Sequence, residues 1–281
     1  MAKKTFLLLL ILLSITTFAQ EDLLKDLDTI QAKTENLQPA FKALQIVTGQ
    51  STKLSSKNEW YVVIAHRFGD ISTGFKNFFG LDDASTKLGV IYGATDWLSV
   101  NLSRETNQKT FELGTKYKLL KQNNTFPVDV VGYNVMALNT DLDKDNFPHL
   151  HFGDRLSYLS QVLISRRFSD DFSLQLTPSY VHKNLYDPNI EGQTQFLAGF
   201  GGRYKISKRI SINAEYFVNF DNHSFYKNPL SVGMDIETGG HIFQLLFSNS
   251  QLNSDIGYLT NATGNWGKGQ IFFGFNLYRV F

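Results

Sequence analysis

Between Thr110 and Leu119 the side chains alternate: Phe111, Leu113, Tyr117 and Leu119 share one parity, and Thr110, Glu112, Gly114, Lys116 and Lys118 the other. The same period of two runs through 172–180, 193–206, 210–219 and 230–238. A period of two puts the two sets on opposite faces of a β-strand. Continued along the chain, the pattern predicts twelve strands, near 59–68, 86–93, 98–104, 109–120, 127–138, 155–168, 172–181, 193–206, 210–219, 230–238, 241–248 and 269–281. Short links (94–97, 121–126, 169–171, 207–209, 239–240) alternate with long ones (69–85, 139–154, 182–192, 220–229, 249–268), and only 105–108 is a short link in a long slot.

A soluble sandwich also alternates, so the pattern alone leaves two architectures open. Three features favour a membrane barrel. Several strands run to about ten residues, the length needed to cross a bilayer at a tilt. Tyr92, Trp97, Tyr117, Tyr180, Tyr204 and Tyr216 lie near strand ends, as an interfacial girdle would. Short turns on one side and long loops on the other complete the pattern of outer-membrane barrels. Lipid cannot satisfy an open sheet edge, so the sheet is expected to close. The expectation is an all-β fold, a transmembrane antiparallel up-and-down β-barrel of about twelve strands at 59–281, with a short N-terminal helical extension. In the last strand Ile271, Phe273, Phe275, Leu277 and the terminal Phe281 share a parity that Arg279 interrupts; Arg279 must then snorkel to the interface.

The N-terminus has a different character. Lys3 and Lys4 precede an apolar run, 6–15, followed by Thr17-Phe18-Ala19. This is the layout of a cleaved secretory signal at 1–19, and the run is too short to span a bilayer. Residues 20–58 are expected to form a periplasmic extension or a plug. Leu23, Leu27, Ile30 and Leu37 are spaced for a short amphipathic helix that Pro39 ends. Residues 40–48 suit an extra strand, a plug segment or a docking strand, and a luminal hatch and a passive leader are both compatible with the extension.

Composition narrows the function classes. Lys plus Arg is 27 and Asp plus Glu is 26; loss of Lys3 and Lys4 leaves 25 basic against 26 acidic residues. That balance offers nothing for nucleic acid to bind. The absence of cysteine removes disulfides, thiolate metal sites and lipidated cysteine.

The segments His66-Arg67-Phe68-Gly69, Phe78-Phe79-Gly80-Leu81-Asp82, Tyr92-Gly93 and Lys116-Tyr117-Lys118 resemble those of an uncharacterised Bacteroidota outer-membrane β-barrel family. The likeness extends to Ala40-Phe41-Lys42, Thr48-Gly49-Gln50-Ser51, 241–245 and Ser248-Asn249-Ser250. The resemblance implies an outer-membrane barrel and carries no reaction, ligand or catalytic residue.

With the apolar parity toward lipid, the lumen-facing candidates are Arg67, Lys87, Glu112, Lys116, Lys118, Arg203, Lys205, Glu215, Asp235 and Glu237. Both signs occur, so strong charge selection is not indicated. Ile91, Leu197, Phe217, Phe272 and Tyr278 fall on the same parity as apolar exceptions, suited to a constriction, a greasy site, or packing beneath a loop. Asp141, Asp143 and Asp145 have the opening spacing of a calcium loop, with His149 and His151 nearby. Asn146 and Phe152 stand where glycine and the closing glutamate belong, so neither metal nor cofactor is expected. No nucleophile motif supports an enzyme. The expected role is porin-like or carrier-like passage or binding of a small-molecule solute or hydrophobic ligand in the outer membrane. The alternative is a structural barrel with an envelope protein partner; a lipid-modifying enzyme ranks lower.

Overall fold

The computed structural model describes residues 39–221, 224–238 and 240–281. The signal and helix expected at 1–38 lie outside them. Twelve antiparallel strands follow in chain order: β1 (Trp60–Asp70), β2 (Ala84–Gly93), β3 (Leu98–Glu105), β4 (Thr110–Leu120), β5 (Asp129–Asn139), β6 (Leu156–Arg167), β7 (Phe172–Lys183), β8 (Thr194–Lys205), β9 (Ile210–Asn219), β10 (Leu230–Thr238), β11 (His241–Ser248) and β12 (Phe272–Val280). Each pairs with its sequence neighbours, and β1 pairs with β12, closing the ring. At the seam Tyr61 lies opposite Val280 and Arg67 opposite Gly274. The Trp60 N–H donates to the Phe281 carbonyl at 3.2 Å, so the ends of the sheet meet at the short-turn end. Among the described residues no strand edge is left open, as lipid requires.

Phe111, Phe200 and Tyr216 are exposed on the outside of the ring, not buried between two layers. Outward arginines stand near strand ends: Arg104 over Phe111 (5.4 Å), Arg166 over Phe168 (5.0 Å) and Arg279 over Phe281 (4.7 Å). The charge can reach the interface from there while the stem lies against an aromatic face.

One strand departs from the polar-in pattern. On β5 the buried parity is Val131, Tyr133, Val135 and Ala137, and Asn134 lies on the outward one. The half-buried amide is satisfied locally: Asn134 donates to the Tyr117 hydroxyl (3.0 Å) and accepts from Ser160 (2.8 Å). Both faces of β5 carry apolar residues, because its inner face packs on protein rather than water.

Candidate functional site: an occupied lumen

Two inserts fill the ring. The first is 39–58, where Ala40, Phe41, Ala43, Leu44, Ile46 and Val47 are buried. It bends back on itself, Ile46 N–H donating to Gly49 C=O (2.8 Å) and Ser51 N–H to Leu44 C=O (3.1 Å). Backbone groups without a regular ladder still need partners once buried, and the barrel wall supplies them. Glu215 Oε1 accepts from the Thr48 and Gly49 N–H groups (2.7 and 2.8 Å). Lys116 Nζ donates to the carbonyls of Leu44, Ser51 and Lys53 (3.0, 3.0 and 3.2 Å). Gln175, Gln244 and Asn276 donate to the carbonyls of Gln50, Ile46 and Val47 (2.8, 3.2 and 2.9 Å). Arg67 reaches Thr48 Oγ1 (3.2 Å), and Thr52 and Ser165 share a hydroxyl bond of 2.6 Å. Five strands thus grip one irregular segment through its main chain, and β1 and β6 through its side chains. Where that segment leaves toward β1, Gly93 is required: a Cβ there would lie 1.8 Å from the Ser56 carbonyl oxygen.

The second insert comes from the long-loop end. The β11–β12 connection carries a short helix, α1 (Asp255–Thr260), all of whose residues are buried. Glu105 accepts from the Asn253 and Ser254 N–H groups (2.6 and 2.8 Å), and Glu112 from the Asp255 N–H (2.7 Å). These carboxylates meet the free N–H groups that any helix start presents. Glu112 also pairs with Lys87 at 2.6 Å. Asp255 accepts from the Tyr133 hydroxyl (2.6 Å) and from Gln50 Nε2 (3.1 Å), which joins the two inserts. Tyr258 donates to Glu215 (2.8 Å). Ile256 and Leu259 pack on the apolar inner wall of β5–β9, including Leu197 and Phe217. Ile91 and Tyr278 pack with Leu44 of the first insert.

The ten charged candidates are distributed as follows. Arg67, Lys87, Glu112, Lys116, Arg203, Glu215 and Asp235 are buried, while Lys118, Lys205 and Glu237 are partly so. Lys87 joins Glu112, and Arg203 lies 3.3 Å from Glu237, which also meets Lys42 at 2.5 Å. Asp235 accepts from Gln244 (2.7 Å), and Lys205 stands 3.9 Å from Asp171. Lys116 and Arg67 have no carboxylate within ion-pair distance among the described residues. The candidate set lacked Glu105, Gln175, Gln244 and Asn276, although all four follow strand parity and buried polar parity would have found them. The Asp143 carboxylate is taken up by Asn146, and Asp141 by Lys109 at 2.7 Å.

Space remains beside the inserts. A cavity of about 50 Å³ lies between them and β1–β4, lined by Arg67, Lys87, Lys116, Asp255 and Tyr278. That is room for a few waters. At the loop end a vestibule of about 370 Å³ opens above α1, lined by Asn139, Arg155, Lys183, Tyr186 and Tyr226 among others.

The architecture recurs in solved structures. The KdgM porin in complex with disordered oligogalacturonate aligns with a TM-score of 0.51 at 9% identity, covering 79% of this chain and 99% of that chain. The NanC porin aligns with a TM-score of 0.50 at 11% identity, covering 79% of this chain and 98% of that chain. At such identities the likeness is one of fold. No curated protein matches the chain. A family profile described as a membrane bound beta barrel domain (DUF5777) matches residues 41–281, covering all but the first two residues of the first insert and every strand, and the chain belongs to that family.

Proposed function

We propose that this is an outer-membrane barrel that passes a small polar solute through a lumen held shut by residues 39–58. Residues 1–19 are its cleaved secretory signal, the long loops face outward, and the fold serves passage rather than catalysis. One observation carries the reading: the plug is held by wall side chains bonded to its main chain, not by apolar packing alone. Bonds of this kind exchange for water at a net cost of about 0.5–1.5 kcal/mol each for the amides and about 1.5–3 kcal/mol for the charged Lys116 and Glu215. A wall bearing Lys116, Glu215, Gln244 and Asn276 is also already suited to wetting. The porin fold of the structural neighbours supports the same view.

The native absence of cysteine makes the test direct. Thr52 and Ser165 touch through their hydroxyls at 2.6 Å, so T52C/S165C should form a disulfide pinning plug to wall. In planar bilayers the oxidised protein should be silent and the reduced protein should open. Equal conductance in both states overturns the plug as a gate. A second reading, a permanently filled structural barrel, draws on the apolar cluster around α1; silence in both redox states at every voltage would favour it.

A further inference from the structure

The Phe78-Phe79-Gly80-Leu81-Asp82 stretch plays no part in the lumen. It belongs to the β1–β2 loop, residues 71–83, several of whose polar groups are spent at its base. Asp70 accepts from the Ser72 N–H (2.8 Å), Asn77 donates to Asp83 (2.7 Å), and the Ile71 N–H donates to the Ile271 carbonyl (3.0 Å). Gly80, at φ +85°, presses on the end of β1, where a Cβ would lie 2.3 Å from the Gly69 carbonyl oxygen. Pinned there, Phe78 and Phe79 adopt φ of 40° and 56°. Such left-handed values are costly for aromatic residues, and strain of this kind is found where a site requires it.

The strained rings are not turned inward. Phe75 is 85% exposed, Phe78 57%, Phe79 41% and Leu81 42%, with Phe75 and Phe79 edge to face at 4.8 Å. Lys76, among them, has no ion pair among the described residues. An apolar cluster this exposed marks an interaction surface. Its position favours lipid as the occupant. The loop grows from β1, whose outward Phe68 stacks on Phe273 at 5.6 Å, and Phe273 meets Phe247 at 5.4 Å. The loop cluster therefore follows directly in the chain from the loop-side end of the aromatic band on the lipid-facing surface.

We propose that residues 71–83 anchor the barrel in the leaflet on its loop side, with Phe75, Phe78, Phe79 and Leu81 among acyl chains and Lys76 beside lipid phosphate. Aromatic rings and a snorkelling lysine are the side chains that the interface favours. The proposal depends on the barrel, not on passage through it, so a silent barrel leaves it standing.

Single cysteines can carry a nitroxide without background labelling. Full-length F75C and L81C, in nanodiscs of phosphatidylethanolamine and phosphatidylglycerol, are compared by collision with oxygen and with a water-soluble nickel chelate. L176C on the outer wall and D145C in another loop are the references. Labels at 75 and 81 should favour oxygen, with the sign seen for L176C and opposite to D145C. A preference for the nickel chelate at both sites overturns the anchor. So does shielding from both colliders, which would mean that protein covers the loop.

Discussion

Lys116 shows how a single residue can be both structural and poised. Its ammonium has no counter-ion among the described residues and spends its donors on three plug carbonyls. A charged hydrogen-bond donor of this kind contributes about 2 kcal/mol. K116M keeps most of the stem and loses the charge, so the plug should undock about thirtyfold more often at 1.36 kcal/mol per tenfold. Amide exchange at 44–53 would report it, with the strand amides unchanged. Equal protection in K116M and the parent would show that the lysine does not hold the plug. Gly93 is a contrasting case, since its hydrogen contacts backbone. G93A forces the Ser56 carbonyl to move, and should raise exchange where the plug meets β1 without altering the vestibule.

The two inserts are separate elements with separate fastenings, and each can be loosened alone. E105A leaves the Asn253 and Ser254 N–H groups without their acceptor, at about 1–3 kcal/mol per orphaned donor. Exchange should rise across 252–260 and stay level across 44–51. The strands that hold these fastenings were legible from side-chain order. β9, β10 and β11 have the predicted limits, 210–219, 230–238 and 241–248, and the other strands differ by a few residues at their ends. β5 was not legible in its facing: Val130, Met136 and Leu138 face one way and Val131, Val135 and Ala137 the other. With hydrocarbon outside and α1 inside, a polar/apolar code has nothing to distinguish. The docking of 39–58 was equally hidden, for Thr48 meets Glu215 across 167 positions of chain and no local spacing encodes that pairing. The candidate lumen residues came from parity alone. Parity gives a face but not a partner, so it separated neither the Lys87–Glu112 pair from the unpaired Lys116 nor the plug's fastenings from the loop's.

For the molecule as a whole, the outer surface is a solvent boundary whose tolerance varies with depth. Arg104, Arg166 and Arg279 face outward near strand ends, where the cost of charge is small. L176R would put the same group on the middle of β7, at about 2–4 kcal/mol near the bilayer midplane. Urea titration in vesicles should show that loss for L176R. A matched arginine at an inward position would lose only what its packing costs.

The β1–β12 seam has a consequence for biogenesis. Arg67 on β1 and Asn276 on β12 both reach the plug, so the two strands whose union completes the cylinder also clasp its contents. Closing the ring therefore also completes two of the plug's holds, so a seated N-terminal segment favours the sealed cylinder and a sealed cylinder favours the seated segment.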